Sequence, residues 1–152
     1  MLGPSLYDSI IRPKRPIPIK KVQSMLQEML VCLRFLKECG VVHCDIKPEN
    51  ILFRNDQQSG IKLIDFGSAV FINDACYDYL QTRPYRCPEI ILGCVFDFAA
   101  DMWSLGCVLY EIVTCKVLFN YKTVQENLAK AIAITGYTSL ELFEGAARVK
   151  KP

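Results

Sequence analysis

A chain of 152 residues, 51% of them hydrophobic, is long enough for one domain with a sizeable core. Its mean hydropathy of +0.19 is high for a soluble domain of this size. The formal net charge of +2 leaves no strong electrostatic footprint, so composition gives no support to a nucleic-acid partner.

The opening "MLGPSLYDSII" has no targeting composition. Residues 12–21, "RPKRPIPIKK", are basic and proline-rich and read as a solvated loop, with a nuclear-localisation cluster as the alternative. A helix follows: Val22, Met25, Leu26, Met29, Leu30, Leu33 and Leu36 recur at three- and four-residue spacing, and Gly40 ends the run as a left-handed cap. Strand-like runs come next at 41–42, 51–53 and 61–64, the last two joined by the hairpin-type "RNDQQSG". Residues 65–95 read as irregular, punctuated by Gly67, Pro84, Pro88 and Gly93.

The run 99–114 is apolar nearly all round and predicts a helix buried on every side. Asp101, Glu111 and Lys116 interrupt the wider apolar stretch 98–119, which argues for a core helix over a membrane span. A last helix is predicted over 124–134, ending at Gly136, with no internal repeat and no low-complexity tract. The fold class is mainly α, of the α+β kind, with one short hairpin.

The eight cysteines form no C-x-x-C pair and follow no secretory signal, so reduced, buried thiols and an intracellular location, nucleus or cytoplasm, are expected.

The stretch "HCDIKPENIL" holds the single histidine of the chain, His43, followed by Cys44 and Asp45. Three chemistries compete for it. A structural metal needs about four Cys or His ligands at local spacing, which His43, Cys39 and Cys44 do not supply. A Cys–His nucleophile needs the two side chains to meet, whereas neighbours on an extended segment point to opposite faces. The third reading is an aspartate carried to a substrate hydroxyl. The stretch fits H-R-D-L-x-x-x-N except at two positions, where Cys44 stands for Arg and Ile46 for Leu. Asp65-Phe66-Gly67 follows twenty residues after Asp45, and Cys87-Pro88-Glu89 stands in the place of A-P-E. Each motif alone is weak, but their order and spacing together are specific.

On these motifs the chain resembles a eukaryotic protein kinase, over essentially its whole length. "LGPSLYD", "SGIKLIDFGSA", "YDYLQTRPYRCPEIILG" and "DMWSLGCVLYEI" are similar to the CMGC group. Within it the dual-specificity tyrosine-regulated and homeodomain-interacting kinases fit best, since they also carry Cys in place of Arg. The Cdc2-like (LAMMER) kinases are similar at "LGPSLYD". The resemblance implies ATP and Mg²⁺ as cofactors and proteins as substrates, with serine, threonine or tyrosine as acceptors.

It also assigns residues. Asp45 would orient the substrate hydroxyl, Lys47 would stabilise the transferring phosphoryl group, and Thr82 would bridge the two. Asn50 and Asp65 would hold Mg²⁺, and Leu52 would floor the adenine pocket. Gly67 would let the backbone turn after the metal ligand, and His43 would pack near Phe66. Asp101 would anchor the catalytic loop, against the plainer reading of an exposed N-cap-like carboxylate. Arg86 matches an arginine associated with proline after the target residue. Tyr79, in Tyr77-x-Tyr79, matches an activation-loop tyrosine that becomes phosphorylated, with Arg83 and Arg86 as its nearest cations. The plainer reading of Tyr79 is a packed loop residue.

No G-x-G occurs in the chain, so a Gly-rich loop over the phosphates and its partner lysine are not found in it. The expectation is an incomplete kinase domain over 1–152: a C-terminal lobe from the end of the hinge, without its final helices or the arginine that pairs with Glu89. Such a chain is expected to be inactive alone. The competing function is a non-catalytic, kinase-like interaction module, although a purely binding lobe has no chemical need of Asp45, Lys47, Asn50 and Asp65 together.

Overall fold

The computed structural model describes residues 2–55, 57–74 and 80–136. Helix α1 spans Ile19–Glu38 and buries Val22, Met25, Met29, Leu33 and Leu36, the face predicted from their spacing. It starts earlier than the apolar pattern suggests. Pro18, with φ fixed at −58°, is its N-cap, and its carbonyl accepts the N–H groups of Lys21 and Val22. The basic residues of "IKK" therefore belong to the helix, and Lys21 settles over the Phe53 ring and against Gln58. Gly40, at φ +70°, ends the helix as expected.

Strand β1 (Val41–Val42) follows, then β2 (Ile51–Phe53) and β3 (Ile61–Leu63). The last two form the predicted antiparallel hairpin, with Ile51 opposite Leu63 and Phe53 opposite Ile61. The hairpin is pinned to α1, because Glu28 accepts the Ile61 N–H at 3.0 Å.

The region read as irregular is more ordered than expected. It contains β4 (Val70–Phe71), which pairs antiparallel with β1, and the short helix α2 (Pro88–Leu92), closed by Gly93 at φ +67°. Single helical turns lie at Ile72–Asp74 and Arg83–Tyr85. Strand β4 escaped prediction because it is defined by its long-range pairing with β1, which the local pattern at 70–71 does not announce.

Helix α3 spans Ala99–Thr114 as predicted, but it is not buried on every side. Met102, Tyr110 and Val113 are exposed, while Asp101, Ser104 and Glu111 are buried. The spacing of those polar residues, three and then seven, puts them on one face, where each has a hydrogen-bonding task. Apolar composition alone hid that face. Helix α4 (Val124–Thr135) begins with a capping box between Thr123 and Glu126 and ends at Gly136, φ +67°.

The main core joins α1, α3 and the hairpin through residues such as Met29, Phe53, Leu105 and Ile112. A second cluster, with Val42, Cys44, Cys87, Phe96 and Ala100, lies under the loop after β1. No described helix is long and apolar enough to cross a membrane.

Candidate active site

The loop from His43 to Asn50 leaves β1 and hangs on α3. Asp101, only 3% exposed, accepts the backbone N–H of His43 at 2.7 Å and of Cys44 at 3.0 Å. Burial raises the pKa of this carboxyl, and the two backbone hydrogen bonds pull against that rise. Unmade, each of these buried N–H groups would cost about 1–3 kcal/mol. Asp101 is therefore a buried anchor and not an exposed N-cap.

Cys44 is fully buried at φ +61°, and its thiol is pushed up to about 12 by burial first and then by Asp101 and Asp45. Such a thiol packs but does not attack, which removes the Cys–His nucleophile. The His43 ring fixes its own tautomer: Nε2 donates to the Ile64 carbonyl at 3.1 Å, and Nδ1 accepts the Asp45 N–H at 3.2 Å. Its edge meets Phe66, with ring centroids 4.8 Å apart.

Asp45 then sits in a cage of donors. Lys47 Nζ lies 2.7 Å from Oδ2, and Asn50 Nδ2 donates to the same oxygen at 3.0 Å and to the Asp45 carbonyl at 2.9 Å. Thr82 Oγ1 donates to Oδ1 at 2.6 Å and lies 3.4 Å from Lys47 Nζ. Burial alone would raise the Asp45 carboxyl. The hydrogen bonds from Lys47 and Thr82, the Lys47 charge and the Asn50 amide outweigh it and hold the pKa below the ordinary carboxylate value. Asp45, Lys47, Asn50 and Thr82, separated by up to 37 residues in sequence, thus form one cluster.

Asp65, Phe66 and Gly67 lie beside it on an exposed turn after β3. The turn is tied in through its ends: the Ile64 N–H donates to the Asn50 carbonyl, and His43 holds the Ile64 carbonyl and the Phe66 ring. The left-handed residue of this turn is Asp65, at φ +63°, whereas Gly67 is not left-handed. What Gly67 supplies is room, since a Cβ there would come within 3.2 Å of Asp65 Oδ1, the oxygen that accepts the Gly67 N–H. Leu52 is half-buried on β2 and bridged to Ser5.

The segment from Gln81 to Glu89 is stapled to α3 by side chains, most of which motif reading missed. The amide of Gln81 donates to the Ala100 carbonyl at 2.9 Å and to Ser104 Oγ at 3.0 Å, and accepts the Cys87 N–H at 2.7 Å. Ser104 donates to the Tyr85 carbonyl, and the Tyr85 hydroxyl donates to Glu111 at 2.7 Å. Burial raises the Glu111 carboxyl, and the Tyr85 hydroxyl opposes that. The periodic polar face 101–104–111 was the available signal for these contacts.

Arg86, 6% exposed, gives Nε to the Leu80 and Gln81 carbonyls and Nη2 to the Gln81 carbonyl at 2.6 Å. Arg83 is exposed, and its carbonyl accepts the Tyr121 hydroxyl. Glu89 is half-buried on α2, and its carboxylate, after burial, helps to raise the Cys87 thiol. Tyr79 lies outside the described residues. Three of the non-glycine residues with positive φ, namely Cys44, Asp65 and Gln81, flank this site. Each such conformation costs about 1–2 kcal/mol, a concentration of strain typical of functional sites.

Comparison with known proteins agrees with this geometry. The sequence pattern described as "Protein kinase domain" matches residues 1–148. The chain is 40% identical over 151 residues to the DYRK-family kinase pom1 of Schizosaccharomyces pombe. It is 39% identical to the dual specificity tyrosine-phosphorylation-regulated kinase mbk-2 of Caenorhabditis elegans and 38% identical to a putative dual specificity tyrosine-phosphorylation-regulated kinase 3 homolog of Drosophila melanogaster. Each match covers 99% of this chain but only 14% of the first relative and 18% of the other two. The match to the domain and the likeness to these relatives establish that the chain belongs to the protein kinase family, and within it resembles the DYRK kinases of the CMGC group.

Proposed function

We propose that this chain carries the phosphoryl-transfer site of an ATP-dependent protein kinase. It acts on serine and threonine hydroxyls of proteins and, within its own activation segment, on tyrosine. The observation that carries this reading is the Asp45 carboxylate, held ionised among Lys47, Asn50 and Thr82.

Phosphoryl transfer has a loose transition state, so a protein contributes mainly position and charge. Asp45 accepts the hydrogen bond of the substrate hydroxyl and takes its proton as the hydroxyl oxygen bonds to the γ-phosphorus and the bond to the ADP oxygen breaks. Lys47, already 2.7 Å from Asp45, spreads positive charge over the transferring group. Thr82 keeps the carboxylate and the ammonium in register beneath the substrate.

The residues fit a divalent cation. Asn50 spends its Nδ2 on Asp45, which leaves Oδ1 as a hard donor, and Asp65 is an exposed carboxylate engaged by the Gly67 N–H. Two protein oxygens, completed by phosphate and water, are what Mg²⁺ prefers. Bound there, Mg²⁺ would neutralise the phosphate charge. Leu52 would lie under the adenine.

A preference for proline after the target residue is supported by Arg86. Two guanidinium nitrogens occupy the Gln81 carbonyl, which then has little left to offer an incoming backbone N–H, and proline has none. Phosphate on Tyr79 would add about −1.5 to −2 charges, for which Arg83 is the proposed cation. The proposed setting is the nucleus or cytoplasm.

The test uses the protein expressed from its complete gene. Asp45→Asn should keep Mg·ATP affinity and lower kcat by about 10²–10⁴-fold, while Asp65→Asn should weaken nucleotide binding that depends on Mg²⁺. Undiminished transfer by Asp45→Asn would refute the reading.

A further inference from the structure

We infer that Gln81 is a positioning residue for Asp45: its buried amide ties Thr82 to the turn of α3 that also holds the other flank of the Asp45 loop. This role rests on the phosphoryl-transfer reading. Asp45 is approached from two sides. On one, the His43 and Cys44 N–H groups end on Asp101. On the other, Thr82 Oγ1 reaches Oδ1 at 2.6 Å. Thr82 makes no side-chain bond to α3; the residue before it does. Gln81 Nε2 donates to Ala100 and Ser104, and Oε1 accepts the Cys87 N–H. Both flanks therefore end on Ala100, Asp101 and Ser104.

The choice of residue is informative. Gln81 stands at φ +63°, where glycine is the unstrained choice. It is also 6% exposed, where an apolar side chain would be easier to bury. Glutamine gives up both advantages and gains an amide whose donor and acceptor ends are each matched. The partners fix its orientation: a flipped amide would set its N–H groups against the Cys87 N–H and its oxygen against the Ala100 carbonyl. A fixed side chain at 81 leaves Thr82 little freedom to drift from Asp45. In catalytic geometry a misplacement of about 1 Å costs on the order of 100-fold in rate.

The experiment measures kcat, KM for ATP and thermal melting in the protein from its complete gene. The variants are Gln81→Glu, Gln81→Gly, Thr82→Ala and the double variant Gln81→Glu/Thr82→Ala. Gln81→Glu sets a carboxylate oxygen against the Ala100 carbonyl. It should lower kcat on the order of 10- to 100-fold, with KM for ATP within about twofold of wild type. The double variant should lose no more than the worse single, because Gln81 acts through Thr82.

A folded Gln81→Glu with unchanged kcat, or losses that multiply in the double variant, would overturn the role. If Gln81→Glu does not melt cooperatively, Gln81→Gly is judged by the same criteria, since it relaxes the backbone but lacks the amide. If neither folds, Gln81 serves folding alone and the inference fails. A wild-type protein without phosphoryl transfer overturns the underlying reading, whereas an active wild type with an indifferent Gln81 overturns only this inference.

Discussion

The two aspartates of the site live in opposite surroundings. Asp45 is half-buried, caged by Lys47, Asn50 and Thr82, and joined through its neighbours to α3. Asp65 is exposed, and its carboxylate accepts the Gly67 N–H within its own turn. One half is assembled by the fold before any ligand arrives. The other presents an open carboxylate with the freedom to adapt to one. On the proposed function, preorganisation is concentrated where a hydroxyl would be aimed, and openness where a hydrated cation would be admitted.

That contrast can be broken from the rigid side first, where the largest effect is expected. Asp101→Ala leaves the His43 and Cys44 N–H groups buried without their acceptor and should destabilise the fold by about 3 kcal/mol in chemical denaturation. A loss under about 1 kcal/mol would mean that α3 is not the anchor.

On the open side, Gly67→Ala places a methyl 3.2 Å from Asp65 Oδ1. Stability should change by less than about 0.5 kcal/mol. Calorimetric titration should find binding of Mg·ATP weakened by less than about tenfold. A large loss of stability with normal binding would reverse the assignment.

The smallest effect is a pH dependence at Glu111, whose folded pKa is raised above the ordinary 4.5 by burial, against the Tyr85 hydrogen bond. A raised acid contributes stability that is fully present below 4.5 and is lost as pH rises through the folded value. The stability of wild type relative to Glu111→Gln should therefore decline as pH rises across that window, as followed by melting temperature. A constant difference would show that Glu111 is not perturbed.

Much of this architecture was legible from periodicity. The buried face of α1, the hairpin after Asn50 and the extent of α3 follow from apolar spacing and turn residues. What escaped prediction was set by long-range pairing or by polar groups. Strand β4 exists because β1 offers it an edge, and α1 begins at Ile19 because the Pro18 carbonyl accepts its first N–H groups. In the site, motif spacing and the resemblance it supports pointed to Asp45, Lys47, Asn50 and Thr82, which the fold gathers. It did not find Gln81, Ser104 or Tyr85, whose task is to hold the others. Nor did it find that Asp65, and not Gly67, takes the left-handed turn. A backbone angle of that kind is decided by tertiary contacts that no local pattern encodes.

Amide hydrogen exchange compares the two halves most directly. In the protein from its complete gene, the His43 and Cys44 amides, donated to Asp101, should exchange slowly whether or not Mg·ATP is present. The Gly67 amide should exchange quickly in the free protein and slow markedly when Mg·ATP binds. Rapid exchange at His43 and Cys44 in the free protein, slowed by nucleotide as much as at Gly67, would contradict a site whose Asp45 half is built in advance.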